Sequence, residues 1–491
     1  MYFARLDPVR AVVLPVLALV LGLTLAMLAA WEFAIRRRLG GRVAVHYLFL
    51  AACLAPAGMA SVAFLRVLPF HLTPLVQARW FWPAAVAVGA GPVIWTIRKP
   101  VHASRLARGV LLYSLPVLGL FLFAAIRGSL LFPHSAYQDG DLAAPLPPRP
   151  GGTRVVWIIF DELSQAIAFG NRPADLALPN LDRLRQESFY ATSAASPANF
   201  TEMSLPCLIL GDEVTAASPT GPGDLRVKLR SREAIVLWSK LPNVFDTARG
   251  LGYNTALVGW FHPYGRVISH SLTKCYWTAG GLAPGVEEPT ADQPLFDAMR
   301  DRVGLQFMAL PVVGHLPGVD PAVYYRREKM KRLEFLNARA REIVSDPEIG
   351  LALIHLPVPH PPAIYDRARG ELSAGKRSYL DNVALVDREL GMLRRAMENA
   401  GVWDGTTVLV SADHGWRTWM WRGSNIWTPE DESVSHQQTM GVPFLVKLAG
   451  ETAPATYSKP FNTLVTRRLI TAILQGQVKD EADVRAVIEA R

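Results

Sequence analysis

Four long apolar runs dominate the beginning of the chain. Each is roughly 18 to 25 residues long and almost without charge, which is the length that a helix needs to cross about 30 Å of hydrocarbon. The pattern therefore predicts four transmembrane helices within residues 1–127, at about 11–35, 44–65, 80–97 and 109–126. A cleaved signal peptide is the alternative for the first run, but that run is too long, and three arginines follow it in place of a cleavage site.

The cations between these runs predict the orientation. The first loop carries four arginines and the third carries three arginines and a lysine, whereas the second has only two arginines. Cationic loops favour the cytoplasmic side, so a multi-pass protein of the cytoplasmic (inner) membrane is expected, with everything after about residue 127 on the periplasmic side. These loops also account for most of the formal net charge of +9, and nothing in the composition indicates a nucleic acid partner.

The composition changes after the fourth run. Residues 128–154 are rich in Pro and Gly, which predicts a semi-rigid linker. From about 155 to 491, strand and helix patterns alternate, which predicts an α/β domain with a central, mostly parallel sheet. The apolar runs at 155–160, 351–356 and 407–411 are typical of strands buried on both faces, and helical spacing from Tyr379 to Met397 stops at Gly401.

Polar side chains follow several of these predicted strands. Asp161 ends the first, His360 comes soon after the second, and Asp413 and His414 follow the third. Ligand sites in open α/β sheets collect at the carboxyl ends of strands, so these side chains are expected on one rim. Two carboxylates and an imidazole favour Zn²⁺ or Mn²⁺ and leave Ca²⁺ and Mg²⁺ open. A metal there would activate the Thr201 hydroxyl, although each motif alone is more often a cap or a loop than a metal site.

The order of the motifs resembles that of the alkaline phosphatase and sulfatase superfamily over about residues 155–450. The shared motifs are the acidic strand end at 155–163, LPNLDRL at 178–184, GYNTALVGWFH at 252–262, HPP at 360–362, SADHG at 411–415 and VPFLV at 442–446. Any one of these is weak, but six in the same order are specific. The resemblance implies a sulfatase-like catalytic domain.

The sequence around Thr201 distinguishes between branches of that superfamily. Thr201 lies ten residues before Gly211 and so occupies the position at which a sulfatase has Cys or Ser. Met203 and Leu205 stand where a sulfatase has Pro and Arg, so formylglycine chemistry is not expected. The segment from Thr201 to Cys207 instead resembles the threonine motif of lipid A phosphoethanolamine transferases. The resemblance implies that Thr201 takes a phosphoethanolamine or phosphoglycerol type of head group from a membrane phospholipid and passes it to an envelope glycan or lipid.

The same resemblance implies roles for particular residues. One divalent metal is expected, because the extra Asp-x-x-x-His of two-metal members is absent around His355 and His360. The metal residues carried over are Asp161, Thr201, Asp413 and His414, with Glu162 as an alternative to Asp161. His360 and His436 are expected to meet the phosphate or to act as general acid or base, with a surface loop as an equal interpretation of His436. His262 and Asn199 are the candidates for substrate contacts.

Several alternatives remain open from the sequence. A hydrolase in which water resolves the Thr201 intermediate would use the same residues, and a non-catalytic envelope protein would keep only the fold. Cys207 and Cys275 are able to pair on the oxidising side of a membrane or to stay reduced. The apolar stretch within 283–330 fits core packing or contact with a bilayer. The chain also departs from the transferases, which usually have five membrane helices and several disulfides.

Overall fold

A computed structural model describes residues 138–147, 149, 152–232, 234–279, 322–437, 441–450 and 454–490. The four apolar runs, Cys53 and most of the stretch 283–330 lie outside the described residues, so the membrane predictions made for them stay predictions. Within the described ranges, no helix is both long and apolar enough to cross a membrane.

The described domain alternates strands and helices, as the sequence predicts. In chain order the strands are β1 (Arg154–Asp161), β2 (Phe189–Ala191), β3 (Ala194–Ala195), β4 (Val214–Pro219), β5 (Leu225–Leu229), β6 (Ile235–Leu237), β7 (Asn254–Phe261), β8 (Lys274–Ala279), β9 (Ile349–Pro359), β10 (Tyr365–Asp366), β11 (Glu371–Leu372), β12 (Thr406–Ala412), β13 (Phe444–Lys447), β14 (Ala455–Tyr457) and β15 (Phe461–Asn462). The helices are α1 (Pro179–Gln186), α2 (Thr201–Leu210), α3 (Val244–Gly250), α4 (Tyr264–Val267), α5 (Ala322–Ser345), α6 (Tyr379–Asn399), α7 (Thr418–Trp421), α8 (Pro429–Val434), α9 (Thr466–Leu474) and α10 (Glu481–Glu489).

Eight of these strands form the central sheet, in the order β14-β2-β13-β12-β1-β9-β7-β8. From β12 to β8 all neighbours are parallel, whereas β13 runs antiparallel to both of its neighbours. The prediction of a mostly parallel sheet is therefore confirmed. Helices α5 and α6 pack against β9, and α9 packs against β1. Because helices cover the sheet, β1 and β12 are buried along their whole length, which explains their continuous apolar sequences.

Helix α6 illustrates how local sequence sets an element. Its N-terminus carries a capping box in which Ser378 and Asp381 bind each other's backbone amides. The helix ends at Asn399, and Gly401 follows with φ of 69°, a left-handed conformation that glycine adopts without strain. The predicted helix and its glycine stop are thus confirmed.

Part of the predicted linker is bound to the domain. The amide of Ala143 donates to the carbonyl of Leu272 at 2.9 Å. Leu146 and Asn254 exchange two hydrogen bonds, of 2.7 and 2.9 Å, between the Leu146 backbone and the Asn254 side-chain amide. The folded domain therefore includes at least this part of the Pro/Gly-rich segment.

The two cysteines of the domain are not joined in a disulfide. Cys207 lies buried in α2, and its Sγ accepts a hydrogen bond from the amide of Val214 at 3.1 Å. Burial raises the pKa of the Cys207 thiol to about 12, so the thiol is neutral and packs as a small apolar side chain.

Candidate active site

The carboxyl ends of β7, β9, β1 and β12 meet at one edge of the sheet because these strands are adjacent and parallel. Asp161 is the last residue of β1, and Asp413 directly follows β12. His262 directly follows β7. His360 directly follows β9, and its amide donates to the backbone carbonyl of Asp161 at 2.9 Å. The predicted rim of polar residues is therefore present at this edge.

Thr201 meets these residues as the first residue of α2. Its Oγ1 lies 2.8 Å from Asp413 Oδ2, 3.2 Å from His414 Nε2 and 3.3 Å from Asp161 Oδ2. The helix begins here because Phe200 is extended while its carbonyl accepts the amide of Ser204. A helix N-terminus favours a negatively charged group, so an anion beside the Thr201 hydroxyl would be stabilised.

The buried carboxylates of this cluster favour the binding of a cation. Asp161 and Asp413 are completely buried and both face the Thr201 hydroxyl. Burial raises the pKa of Asp161 well above its usual value, and the charges of Asp413 and Glu162 raise it further. Burial likewise raises the pKa of Asp413. A divalent cation between two such carboxylates would remove both the repulsion and the cost of burial.

The hydrogen bonds of the cluster fit a metal ion. Oδ1 of Asp161 and Nε2 of His355 are buried and make no hydrogen bond within the described ranges, as ligand atoms would. Nε2 of His414 lies 3.7 Å from Asp161 Oδ1 and 3.3 Å from Asp413 Oδ2. Two carboxylates, an imidazole and the Thr201 hydroxyl therefore suit a divalent metal, with Asp161, Asp413, His414 and Thr201 placed to hold it.

Glu162 has a different environment from Asp161. Its Oε1 accepts hydrogen bonds from Arg417 Nε at 2.7 Å and from the Arg417 amide at 3.0 Å, and Trp421 Nε1 donates to the same oxygen at 3.0 Å. Glu162 also has φ of 68°, a left-handed conformation that non-glycine residues rarely adopt. The turn directs its carboxylate to Arg417, whereas Asp161 faces Thr201. Glu162 Oε2 lies 4.0 Å from His360 Nε2.

The imidazoles of the rim are neutral at neutral pH. Burial lowers the pKa of His414 to about 4 and that of His262 to about 3, and it lowers the pKa of His360 well below the usual value. His262 Nε2 lies 3.1 Å from the Thr201 carbonyl, so it contacts the backbone of Thr201. The ring of His360 packs edge-on against Trp421 at 5.1 Å. Neutral imidazoles are able to bind a metal or accept a proton.

The other two predicted residues are exposed. His436 lies in the 3₁₀ turn Ser435–Gln437, and among the residues that the structure describes no hydrogen bond or ion pair joins it to the cluster. Asn199 lies in the loop before α2, two residues from Thr201. Their roles in catalysis and substrate binding stay predictions.

The structure adds three residues that sequence reasoning did not include. His355 lies within the apolar sequence of β9, Lys329 in α5, and Arg417 after β12. Lys329 donates to the carbonyls of His360 and Pro362, so it supports the loop that carries His360. Burial lowers the pKa of Lys329 to about 7. Only His355 gave a signal in the sequence, as a polar residue inside a strand that is otherwise apolar.

The fold and this cluster define an α/β domain with a buried Asp/His cluster that suits a divalent metal, beside the Thr201 hydroxyl. The sulfatase family model matches residues 153–475, more than half of the 491 residues. The chain therefore belongs to the sulfatase family and is an enzyme of the alkaline phosphatase superfamily. No curated protein matches the sequence.

Solved structures with a similar fold share little sequence with this chain. Ps i-CgsB, in complex with k-i-k-neocarrahexaose, is 16% identical with a TM-score of 0.43, covering 68% of this chain and 74% of that chain. The phosphonate monoester hydrolase of Agrobacterium radiobacter is 16% identical with a TM-score of 0.40, covering 66% and 74%. A protein from work on glycosaminoglycan metabolism by Bacteroides thetaiotaomicron is 14% identical with a TM-score of 0.47, covering 69% and 82%. None is close enough to carry an argument about activity.

Proposed function

We propose that this chain is a metal-dependent phosphotransferase with Thr201 as its nucleophile. The observation that carries the proposal is the position of Thr201 Oγ1, which lies within 3.3 Å of Asp161, Asp413 and His414. Two buried carboxylates and an imidazole around one hydroxyl at a helix N-terminus are the arrangement expected of a metal-activated nucleophile. A divalent metal bound there lowers the pKa of the hydroxyl.

The proposed reaction consists of two successive displacements at phosphorus, with Thr201 carrying the intermediate. Thr201 Oγ1 attacks the phosphorus of a phosphodiester, the bond from phosphorus to the lipid oxygen breaks, and the diacylglycerol leaves. The hydroxyl proton passes to a base as Oγ1 attacks, because the Asp413 carboxylate that accepts its hydrogen bond at 2.8 Å is assigned to the metal. An acceptor hydroxyl then attacks the phosphorus, and the bond to Thr201 breaks. His360 and His436 are candidates for the acid and base of these steps.

The residues around Thr201 favour phosphoryl chemistry over sulfate ester chemistry. A sulfatase converts Cys or Ser to formylglycine, and this chain has Thr. Leu205 occupies the position of the sulfatase arginine and is completely buried in α2, among the core side chains. This position therefore offers no cation to a substrate.

The proposed donor is a membrane phospholipid with a phosphoethanolamine or phosphoglycerol type of head group, and the proposed acceptor is an envelope glycan or lipid. The four apolar runs before residue 127 support a donor in the bilayer, because they would hold the domain at the membrane surface. A hydrolase that releases the head group to water is the second candidate, and membership of the sulfatase family favours it.

Incubation of the full chain with head-group-labelled phospholipid and Zn²⁺ or Mn²⁺ separates these functions. We expect radiolabel on Thr201, located by peptide mass spectrometry, followed by its appearance on an added glycan or lipid acceptor. Thr201→Val, which keeps the shape of the side chain, should stay unlabelled. Release of the head group without transfer would support the hydrolase, and no label with either metal would contradict both functions.

A further inference from the structure

We propose that His355 is a further ligand of the metal and that it makes the site prefer Zn²⁺ over Ca²⁺. The inference rests on the metal site of the proposed function, but it does not depend on which reaction the site performs. It adds a nitrogen donor from the strand next to the one that supplies Asp161.

The sheet brings His355 to the two carboxylates. In the parallel pairing of β1 with β9, His355 lies opposite Ile159, two residues before Asp161. The ligand atoms of Asp161, His355 and Asp413 all lie within 4.8 Å of one another, and His355 Nε2 is 3.9 Å from Asp161 Oδ2. The imidazole therefore borders the same space as the carboxylates that surround the Thr201 hydroxyl.

The two ring nitrogens of His355 have different surroundings. The residue is completely buried, and Nε2 makes no hydrogen bond within the described part of the chain. Nδ1 lies 3.4 Å from the Tyr264 hydroxyl. With the proton on Nδ1, the Nε2 lone pair is left to bind an ion beside the carboxylates, 3.9 Å from Asp161 Oδ2. This is the arrangement that a metal-binding histidine has, with one nitrogen on the ion and the other held by a neighbouring group.

A second imidazole changes which metal the site prefers. Ca²⁺ takes oxygen ligands and gains nothing from a histidine, whereas Zn²⁺ binds imidazole and carboxylate together. With His414 alone, the site offers one nitrogen beside the oxygens of Asp161, Asp413 and Thr201. His355 raises the number of nitrogen donors to two, which favours Zn²⁺.

The test compares wild-type full chain with His355→Gln, a neutral side chain of similar size. After removal of metal with a chelator, the affinities for Zn²⁺ and Ca²⁺ are each measured by competition with a chromophoric chelator. We expect His355→Gln to weaken Zn²⁺ binding at least about tenfold and to change Ca²⁺ binding much less. An unchanged ratio of the two affinities would overturn the proposal.

His270→Gln is the matched control, because it removes an imidazole that is 53% exposed and pairs with Asp246 on the surface. It should leave both affinities unchanged, which separates a specific ligand from adventitious binding by surface histidines.

X-ray absorption of the zinc-loaded wild-type protein tests the proposal without any variant. We expect two imidazoles in the zinc shell, and a single imidazole would overturn the inference even if His355→Gln does not fold. Where it folds, the variant should lose one imidazole. Because neither measurement needs turnover, both also work in Thr201→Ala, so failure of this proposal is distinguishable from failure of the phosphotransferase function.

Discussion

Replacing Thr201 with Ala should abolish head-group transfer, with a loss of at least about 10⁴-fold in turnover. The only hydroxyl enclosed by Asp161, Asp413 and His414 in the described residues is removed, so the covalent intermediate has no atom on which to form. The rate of transfer from a labelled phospholipid is the measurement. The folding and the bound metal should be largely unaffected, because the two carboxylates and His414 remain.

Thr201→Ser is the matched control for this prediction. It keeps Oγ at the N-terminus of α2 and loses only a methyl group, so it should be labelled and should retain measurable transfer. Metal content and unfolding temperature of both variants show whether the loss is chemical. Full activity in Thr201→Ala would mean that another residue is the nucleophile.

Replacing Arg417 with Leu should lower the free energy of unfolding by about 3–5 kcal/mol. Arg417 Nε lies 2.7 Å from Glu162 Oε1, the Glu162 side chain is completely buried, and that of Arg417 is 8% exposed. Burial alone would lower the pKa of Arg417, but the charge and hydrogen bond of Glu162, together with the charges of Asp161 and Asp413, raise it. Without the guanidinium, the Glu162 carboxylate stays buried beside Asp161 with no cation of its own.

Thermal or denaturant unfolding of the full chain measures this effect. Arg422→Leu is the control, because its ion pair with Glu432 is more than half exposed on both side chains and should contribute less than about 1 kcal/mol. The double variant Glu162→Gln with Arg417→Leu should recover part of the loss, since the uncompensated charge is removed. An Arg417→Leu protein as stable as wild type would show that the buried pair does not hold the turn after β1.

Local patterns predicted the framework of the site well. The apolar sequences of β1, β9 and β12 indicate buried parallel strands, and the rule that sites form at strand ends places Asp161, Asp413 and His360 at one edge. The sequence pattern did not predict helix α2. Pro206 lies inside it and lacks the amide that an interior helical residue donates, so the segment does not have the sequence of a regular helix.

The sequence by itself indicated the family and the edge of the sheet at which Asp161, Asp413 and His360 lie, and it made Thr201 the candidate nucleophile. These follow from motif order and from patterns within single strands. Only the tertiary structure decided that His355 borders the two carboxylates and that Glu162 binds Arg417 instead of facing Thr201. A strand buried on both faces has no alternation to show which way a side chain points. Which residues such a side chain contacts depends on the order of the strands in the sheet and on the turn after Asp161, and only the folded chain defines both.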